Sequence, residues 1–243
     1  MLSPEEKRPQ SIRNLFDRIA WRYDLLNRVI SFHLDTWWRK KAVKALRLGS
    51  DERLILDLGT GTGDLALTAA REIKKGAKIF GLDFSAEMLR LAQEKKNKDR
   101  YAGNVVYVLG NALAPPFRDG TFHAVMTAFV LRNIPDLGLF FLQAFRLLRP
   151  GGRLVSLDMF PPAGTPFAFF YSFYFYRLVP WIGAGLARDR QAYRYLSESV
   201  KAFDPPETIA QLIGRAGFEE VRIRRFLRGA VCIHLAEKPA RRP

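Results

Sequence analysis

The sequence is short of cysteine and of acidic residues, and each shortage excludes something. Cys232 is the only cysteine among 243 residues, which excludes an internal disulfide and a cysteine-based metal site. Its apolar, strand-like setting favours a buried structural thiol over a nucleophile. The N-terminus is charged and lacks an apolar core segment, so no secretory signal is visible and a cytoplasmic location is expected.

The shortage of acidic residues leaves a strongly basic chain. There are 39 Lys and Arg against 24 Asp and Glu, which gives a net charge of +15. This charge predicts attraction to a polyanion, either nucleic acid or an anionic membrane surface, although a basic enzyme without such a partner fits equally well. No RNA-recognition signature, zinc knuckle or arginine-rich tail is present, so nucleic acid is the less favoured partner.

The segment 54–65, LILDLGTGTGDL, predicts a ligand site. A short apolar run of strand type ends in a glycine-rich turn, and a helical pattern follows. This is the first strand–turn–helix unit of a doubly wound α/β sheet, in which ligands bind at the carboxyl ends of the strands. Gly59 and Gly61 allow the tight turn and a close approach of the backbone to a ligand.

The spacing within this turn narrows the choice of ligand. Asp64 stands where the dinucleotide fingerprint requires a third glycine, and no Gly-Lys-Ser/Thr follows for a Walker loop. A nucleoside with a cationic amino-acid end fits better. Its carboxylate would meet the turn amides, while Asp57 and Asp64 would keep the neighbourhood negative.

Two further strand ends carry residues suited to the same nucleoside. Asp83 follows the strand-like run 77–82 and can accept hydrogen bonds from two ribose hydroxyls, and Phe84 can pack on an adenine ring. Asn111 and Ala112 follow the next strand-like run, where a short polar side chain can accept from an adenine amine. Each feature alone could be ordinary turn chemistry. Three of them at successive strand ends resemble the S-adenosylmethionine-dependent methyltransferases of the Rossmann-like class.

Other segments carry a narrower resemblance. The run 16–27, FDRIAWRYDLLN, followed by Ser31 and Trp38-Arg39, resembles the N-terminal signature of the menaquinone and ubiquinone biosynthesis C-methyltransferases. Arg132-Asn133 after the fourth strand and the run 193–199, YRYLSES, are similar to two further segments of that family.

The chain also departs from the family pattern at four positions. Asp35 replaces the family's His, and His33 lies two residues earlier. Ala128 replaces a Ser, and the Glu-x-Ser at the end of the fifth strand becomes Asp158 and Phe160. The carboxylate is therefore kept at that strand end, whereas the hydroxyl is lost.

The resemblance implies a fold, a cofactor and a reaction. S-adenosylmethionine would be the methyl donor, without a metal, and the acceptor would be a ring carbon of a demethylated prenylquinol. The implied cofactor-binding residues are Asp57, Gly59, Gly61, Thr62, Asp83, Phe84, Asn111, Ala112 and Ala128. The implied catalytic residues are Arg132, Asn133, Asp158 and Tyr195.

Within this catalytic set, Arg132 is expected to lower the pKa of the quinol hydroxyl and to orient the ring, which Asn133 holds. The general base stays open between a water molecule and five side chains, namely His33, Asp35, Asp158, Tyr193 and Tyr195. Two other functions also stay open. One is a methyltransferase for another small molecule or lipid, and the other is a basic protein that binds or modifies nucleic acid.

The expected architecture is a mostly parallel α/β sheet with an antiparallel last strand, in one domain with insertions. Residues 1–50 would form a helical lid, 51–158 the cofactor-binding core, 159–203 an aromatic-rich helical insertion, and 204–243 the completion of the sheet. The aromatic block 167–176 is too short to cross a bilayer. It would pack into the core or a homodimer interface, or it would accept a prenylated ring and touch the membrane as part of a peripheral protein.

Overall fold

A seven-stranded sheet organises the chain. The structure is a computed structural model, and it describes residues 9–48, 53–73, 76–162 and 190–240. The strand order is β3-β2-β1-β4-β5-β7-β6. The strands are β1 Arg53–Leu58, β2 Ala77–Asp83, β3 Val105–Leu109, β4 Phe122–Ala128, β5 Leu148–Met159, β6 Glu219–Phe226 and β7 Val231–Glu237. Strand β7 runs antiparallel to both of its neighbours, and the other six strands run parallel to one another, so the predicted fold class is confirmed.

Seven α-helices accompany the sheet in the described ranges. They are α1 Pro9–Ile30, α2 Leu34–Ala45, α3 Asp64–Glu72, α4 Ala86–Lys98, α5 Leu137–Leu147, α6 Arg190–Lys201 and α7 Pro206–Arg215. Their starts follow from local chemistry. The Ser85 hydroxyl accepts from the Met88 amide at the start of α4, Asp136 caps α5 in the same way, and Pro206 opens α7 with its fixed φ.

Helices cover both faces of the sheet, which explains why its central strands read as continuous apolar runs. On one face Trp38 and Val43 of α2 pack with Ile55 of β1. On the other face Phe141 of α5 packs with Leu56, the next residue along β1. Because successive side chains of a strand point to opposite faces, β1 contributes to both cores and its carboxyl end is held rigidly.

Strand β5 begins directly after α5 and contains an irregular segment near its start. Leu148 already pairs with Phe122 of β4, and the register then shifts before Arg153 pairs with Ala124. Gly151, at φ 74°, allows this bulge. The strand then runs straight to Asp158 and Met159, next to the end of β4.

Part of the predicted insertion lies outside the described residues. This applies to the aromatic block 167–176, and the side chain of Tyr193 is likewise not described. Over the ranges that the structure covers, no helix has both the length and the apolar character needed to span a membrane.

Candidate active site

A cavity of about 240 Å³ opens at the carboxyl ends of the parallel strands. All nine residues that the sequence singled out for the cofactor line this one cavity. They come from the turn after β1, the end of β2, the loop after β3 and the end of β4. Within the described ranges no three His, Cys, Asp or Glu side chains come together as metal ligands.

The glycine-rich turn is shaped by its backbone. The amides of Gly59 and Thr60 both donate to the carbonyl of Leu82, at 2.8 and 2.9 Å. Gly59 has φ 74°, and a Cβ at this position would lie 2.6 Å from a methyl carbon of Val130. Only glycine therefore fits here, on grounds of both conformation and space.

Asp83 is fixed at the end of β2 by two backbone amides. Gly61 N donates to its Oδ2 at 2.8 Å, and Ser85 N donates to its Oδ1 at 3.0 Å. Burial raises the pKa of this carboxyl, although both amides oppose the shift. The bond to Gly61 also corrects one expectation, because that turn amide is occupied by Asp83 and is not available to a ligand carboxylate.

Asp57 presents an unsatisfied oxygen at the cavity. Its Oδ2 accepts from the Thr60 hydroxyl at 2.7 Å, whereas its Oδ1 is buried and has no hydrogen-bond partner among the residues that the structure describes. Burial raises the pKa of Asp57 to about 7. An unpartnered buried carboxylate oxygen is costly, and a cationic ligand group would relieve that cost.

The expectation that Asp64 adds negative charge to the site is wrong. Its carboxylate lies 2.7 Å from the guanidinium of Arg28 and 4.0 Å from that of Arg39, and it also pairs with Lys95. Burial acts to raise the pKa of Asp64, but these three cations together lower it. Asp64 is thus the centre of a polar cluster, and its charge is compensated.

Arg39 lines the cavity, and residue-by-residue reasoning missed it as a site residue. It projects from α2, is only 5% exposed, and lies 5.0 Å from the ring centre of Phe129. Phe129 itself has φ 61°, a strained conformation of the kind found at functional sites. The signal was available, since Arg39 belongs to the Trp-Arg pair of the N-terminal signature.

Asp35 holds Arg39 in place. This buried carboxylate pairs with both Arg28 and Arg39, and it accepts from the Ser31 hydroxyl at 2.9 Å. His33 is exposed in the turn before α2. The structure therefore makes Asp35 an anchor for two arginines and leaves His33 at the surface.

The four catalytic candidates form two side-chain pairs at the cavity wall. Arg132 Nη1 lies 2.8 Å from Asp158 Oδ1, and both side chains are buried. Asp158 also accepts from the amides of Leu131 at 2.9 Å and Met159 at 2.8 Å. Tyr195 donates its hydroxyl to Asn133 Oδ1 at 3.1 Å. Of these four, only Asn133 lines the cavity.

Tyr23 of α1 is a second site residue that sequence reasoning did not single out. It lines the cavity near the cationic Arg132. Burial raises the pKa of Tyr23, and burial raises that of Tyr195 to about 12, while Arg132 lowers both. Both phenols are therefore protonated at neutral pH and act as hydrogen-bond donors. Helical spacing was the available signal, because Tyr23 lies one turn from the buried Ala20.

Helix α1 is tied to the cofactor side of the cavity by polar contacts. Asp24 accepts from the Thr62 hydroxyl at 2.6 Å and pairs with Lys95 at 2.7 Å. Asp17 accepts from the Ser85 hydroxyl at the start of α4. The helix thus closes one side of the cavity without belonging to the sheet.

Comparisons with known proteins agree with this geometry. Residues 3–238 match the model of the ubiE/COQ5 methyltransferase family. The chain is 43% identical over 225 residues to a demethylmenaquinone methyltransferase of Thermus thermophilus, covering 93% of this chain and 100% of that protein. It is 40% identical over 229 residues to the ubiquinone/menaquinone biosynthesis C-methyltransferase UbiE of Geobacter sulfurreducens, covering 94% and 89%.

Solved structures agree in fold. A putative S-adenosyl-L-methionine-dependent methyltransferase of Methanococcus maripaludis superposes with a TM-score of 0.67 at 15% identity, covering 93% of this chain and 94% of that one. At this identity the likeness concerns the fold alone.

Proposed function

The chain belongs to the ubiE/COQ5 methyltransferase family, and on this premise we propose that it methylates a ring carbon of a demethylated prenylquinol. One such reaction converts demethylmenaquinol to menaquinol. A precursor of ubiquinol would be methylated in the same way. The protein is an S-adenosylmethionine-dependent methyltransferase with a Rossmann-like fold. The relatives that are named for quinone methylation support the choice of substrate. The observation that carries the proposal is that one cavity gathers all nine expected cofactor residues beside Asn133 and Tyr23.

The residues around the cavity fit S-adenosylmethionine. Asp57 Oδ1, buried and unpartnered, suits the ammonium group, and the guanidinium of Arg39 suits the carboxylate. Asp83 suits the ribose hydroxyls, and Phe84 and Asn111, which line the same cavity, suit the adenine. The bound cofactor supplies an electrophilic methyl group on a sulfonium.

On the acceptor side, we assign contact with the ring to Asn133, because it lines the cavity. The bond from Tyr195 to its Oδ1 fixes the amide, so that its Nδ2 can donate to a ring oxygen. Arg132 lies behind this contact and favours ionisation of the quinol hydroxyl through its positive charge. An ionised hydroxyl makes the ring carbon nucleophilic.

Asp158 restrains this effect of Arg132. A bare cation beside the phenolate would stabilise the reactants more than the transition state. In the transition state the negative charge of the phenolate and the positive charge of the sulfonium neutralise each other, so less charge is left to stabilise. The buried ion pair between Arg132 and Asp158, at 2.8 Å, moderates that cation. It also holds the 3-10 helix Leu131–Asn133 against the end of β5.

The contacts of the base candidates favour water as the proton acceptor. Asp158 already accepts from one guanidinium and two amides, Asp35 is paired with two arginines, and the pKa of Tyr195 is about 12. His33 is exposed in the turn before α2. Among the described candidates, none thus combines access to the cavity with a free acceptor atom, so we assign the proton to a water molecule beside Asn133.

A prenylated acceptor implies a membrane. The net charge of +15 supports peripheral association with an anionic bilayer surface, from which the substrate would be drawn.

The test is methylation of chemically reduced demethylmenaquinone by the purified protein, with the variants Arg132→Gln, Asp158→Asn and the double variant. Arg132→Gln leaves a buried carboxylate unpaired and should cost about 3–5 kcal/mol of stability. The double variant removes both charges, so its melting temperature should recover. Its turnover should stay about 100-fold or more below wild type, while its affinity for S-adenosylmethionine should be unchanged.

Asp83→Ala is the matched control, because it should weaken cofactor binding. Unimpaired turnover in Arg132→Gln would refute the role of Arg132.

Methylation of water-soluble acceptors but of no quinol would favour another small-molecule substrate. Salt-sensitive binding to nucleic acid without any affinity for anionic vesicles would favour the nucleic-acid alternative. The quinone profile of cells that lack the protein identifies the substrate, since the demethylated quinone should accumulate.

A further inference from the structure

Exposed apolar side chains gather at the edge of the sheet where the parallel strands end. The turn between α1 and α2 presents Phe32, 72% exposed, and Leu34, 38% exposed, and Trp37 follows one helical turn later at 43%. Leu227, 41% exposed, comes from the turn between β6 and β7. We call Phe32, Leu34, Trp37 and Leu227 the edge patch.

The two turns form one surface. The ring of Trp37 packs edge-on against Phe226, the residue before Leu227, with ring centres 5.3 Å apart. Both turns also lie at the same edge of the sheet. Helix α2 runs from this edge toward the start of β1, and β6 is parallel to β5 and ends here.

The backbone of both turns is strained where it presents these side chains. Phe32 and His33 have φ values of 50° and 61°, and Leu227 and Arg228 have φ values of 46° and 52°. A left-handed conformation is unfavourable for L-residues other than glycine, asparagine and aspartate, and least suited to bulky ones. Glycine or asparagine would adopt this conformation with less strain. Strained, bulky and exposed residues in two adjacent turns therefore indicate a binding function.

Cations flank the edge patch. Lys41 Nζ lies 5.0 Å from the ring centre of Trp37. Arg224 stands two residues before Phe226 on the same face of β6, and Arg228 follows Leu227. None of the three forms an ion pair with a carboxylate that the structure describes. Apolar and aromatic side chains with a rim of unpaired cations match the chemistry of an anionic bilayer interface.

The same helix connects this surface to the site. Trp37 points outward from α2, whereas Arg39, two residues later, lines the cofactor cavity. We propose that the edge patch docks on an anionic phospholipid bilayer, with Phe32 and Leu227 entering the boundary between headgroups and acyl chains. This rests on the proposed function, because it places the active-site mouth where a prenylated quinol resides.

The test uses the double variant Phe32→Asn and Leu227→Asn. Asparagine tolerates positive φ, so the melting temperature should equal or exceed that of wild type. Sedimentation with vesicles of phosphatidylglycerol and phosphatidylcholine, without cofactor or quinol, should show partition about tenfold weaker. Turnover of a long-chain quinol in those vesicles should fall by a similar factor, and turnover of a tail-less, water-soluble quinol should not change.

Leu142→Gln is the matched control, since it removes a 52% exposed leucine from α5 and should leave vesicle binding intact. Wild-type vesicle binding by the double variant would overturn the proposal. A fall in the melting temperature of the double variant would also overturn it, because the patch would then be structural. The same holds if the wild type is a dimer that binds no vesicles and the double variant is a monomer. Because the vesicle assay contains no substrate, a protein that docks through this patch yet methylates no quinol would contradict the proposed function alone.

Discussion

At the scale of single residues, Asp57 makes the sharpest prediction because its pKa is raised to about 7 by burial. An unfolded Asp titrates near 3.9, so the folded protein retains a proton that the unfolded chain releases between about pH 4 and pH 7. Stability should therefore fall as pH rises through this window, by about 2–4 kcal/mol. Cofactor binding should respond in the opposite direction, because the ammonium group requires the carboxylate. Affinity for S-adenosylmethionine should weaken as pH falls below 7.

The Asp57→Asn variant separates these effects. It should be more stable than wild type at pH 8, about equally stable at pH 4, and weaker in cofactor binding by about tenfold or more. Its cofactor affinity should vary little between pH 5.5 and 8, as calorimetry and denaturant titration can measure. Arg39→Gln is the companion control, and it should lose affinity for the cofactor but not for a decarboxylated analogue. A wild-type affinity that is independent of pH would contradict the assignment.

At the scale of elements, α1 depends on charge pairing for its position. Asp64 at the start of α3 binds Arg28 of α1, and Lys95 of α4 bridges Asp64 to Asp24 of α1. Replacing Asp64 by Asn should free α1, because three cations lose their common partner. Amide hydrogens of α1 should exchange about tenfold faster, while those of β4 should not change.

The pH dependence of this attachment has a definite sign. Since the pKa of Asp64 is lowered in the fold, its contribution is present above the unfolded value near 4 and is lost as pH falls through the folded value. Asp99→Asn is the matched control, because Asp99 pairs with Arg71 outside this cluster, at 2.7 Å. If α1 exchanges equally fast in both variants, the cluster around Asp64 does not hold the helix.

Elements show what the sequence could and could not predict. The strands and most helix starts follow from local signals, such as the apolar run before Gly59 and the capping Ser85. The nine expected cofactor residues followed as well, because the carboxyl ends of parallel strands meet at one edge, whereas Arg39 and Tyr23 of the N-terminal helices did not. Ion pairs between side chains that are far apart in the sequence could not be predicted from local signals. Nothing in the sequence around Asp64 indicates that it pairs with Arg28, which is 36 residues away. From the sequence alone, the negative charge of Asp64 is therefore expected to act on the ligand.

Asp158 illustrates the same limit at the substrate side. The sequence keeps a carboxylate at the end of β5, which fits a general base as well as an ion-pair partner. Only the fold places it 2.8 Å from Arg132, a residue 26 positions away on another strand end. The role of this carboxylate thus depends on the neighbours that tertiary structure provides.

At the scale of the whole molecule, the net charge of +15 raises the question whether attraction to membranes is diffuse or local. Two sets of substitutions can decide, because each removes three positive charges. The first set, Lys41→Gln, Arg224→Gln and Arg228→Gln, neutralises the rim of the edge patch. The second, Lys98→Gln, Arg118→Gln and Arg215→Gln, neutralises exposed cations at the opposite edge, where β3, β4 and β6 begin.

A local mechanism predicts unequal losses. A basic residue close to an anionic surface contributes about 1 kcal/mol, so the first set should weaken binding to phosphatidylglycerol vesicles roughly 100-fold. Charges on the far edge lie beyond the screening length at physiological salt, so the second set should change binding by no more than about threefold. The first set should also reduce the salt dependence of binding, since fewer lipid charges would be neutralised. Equal losses in the two sets would mean that total charge alone attracts the protein, and the edge patch would then need another partner.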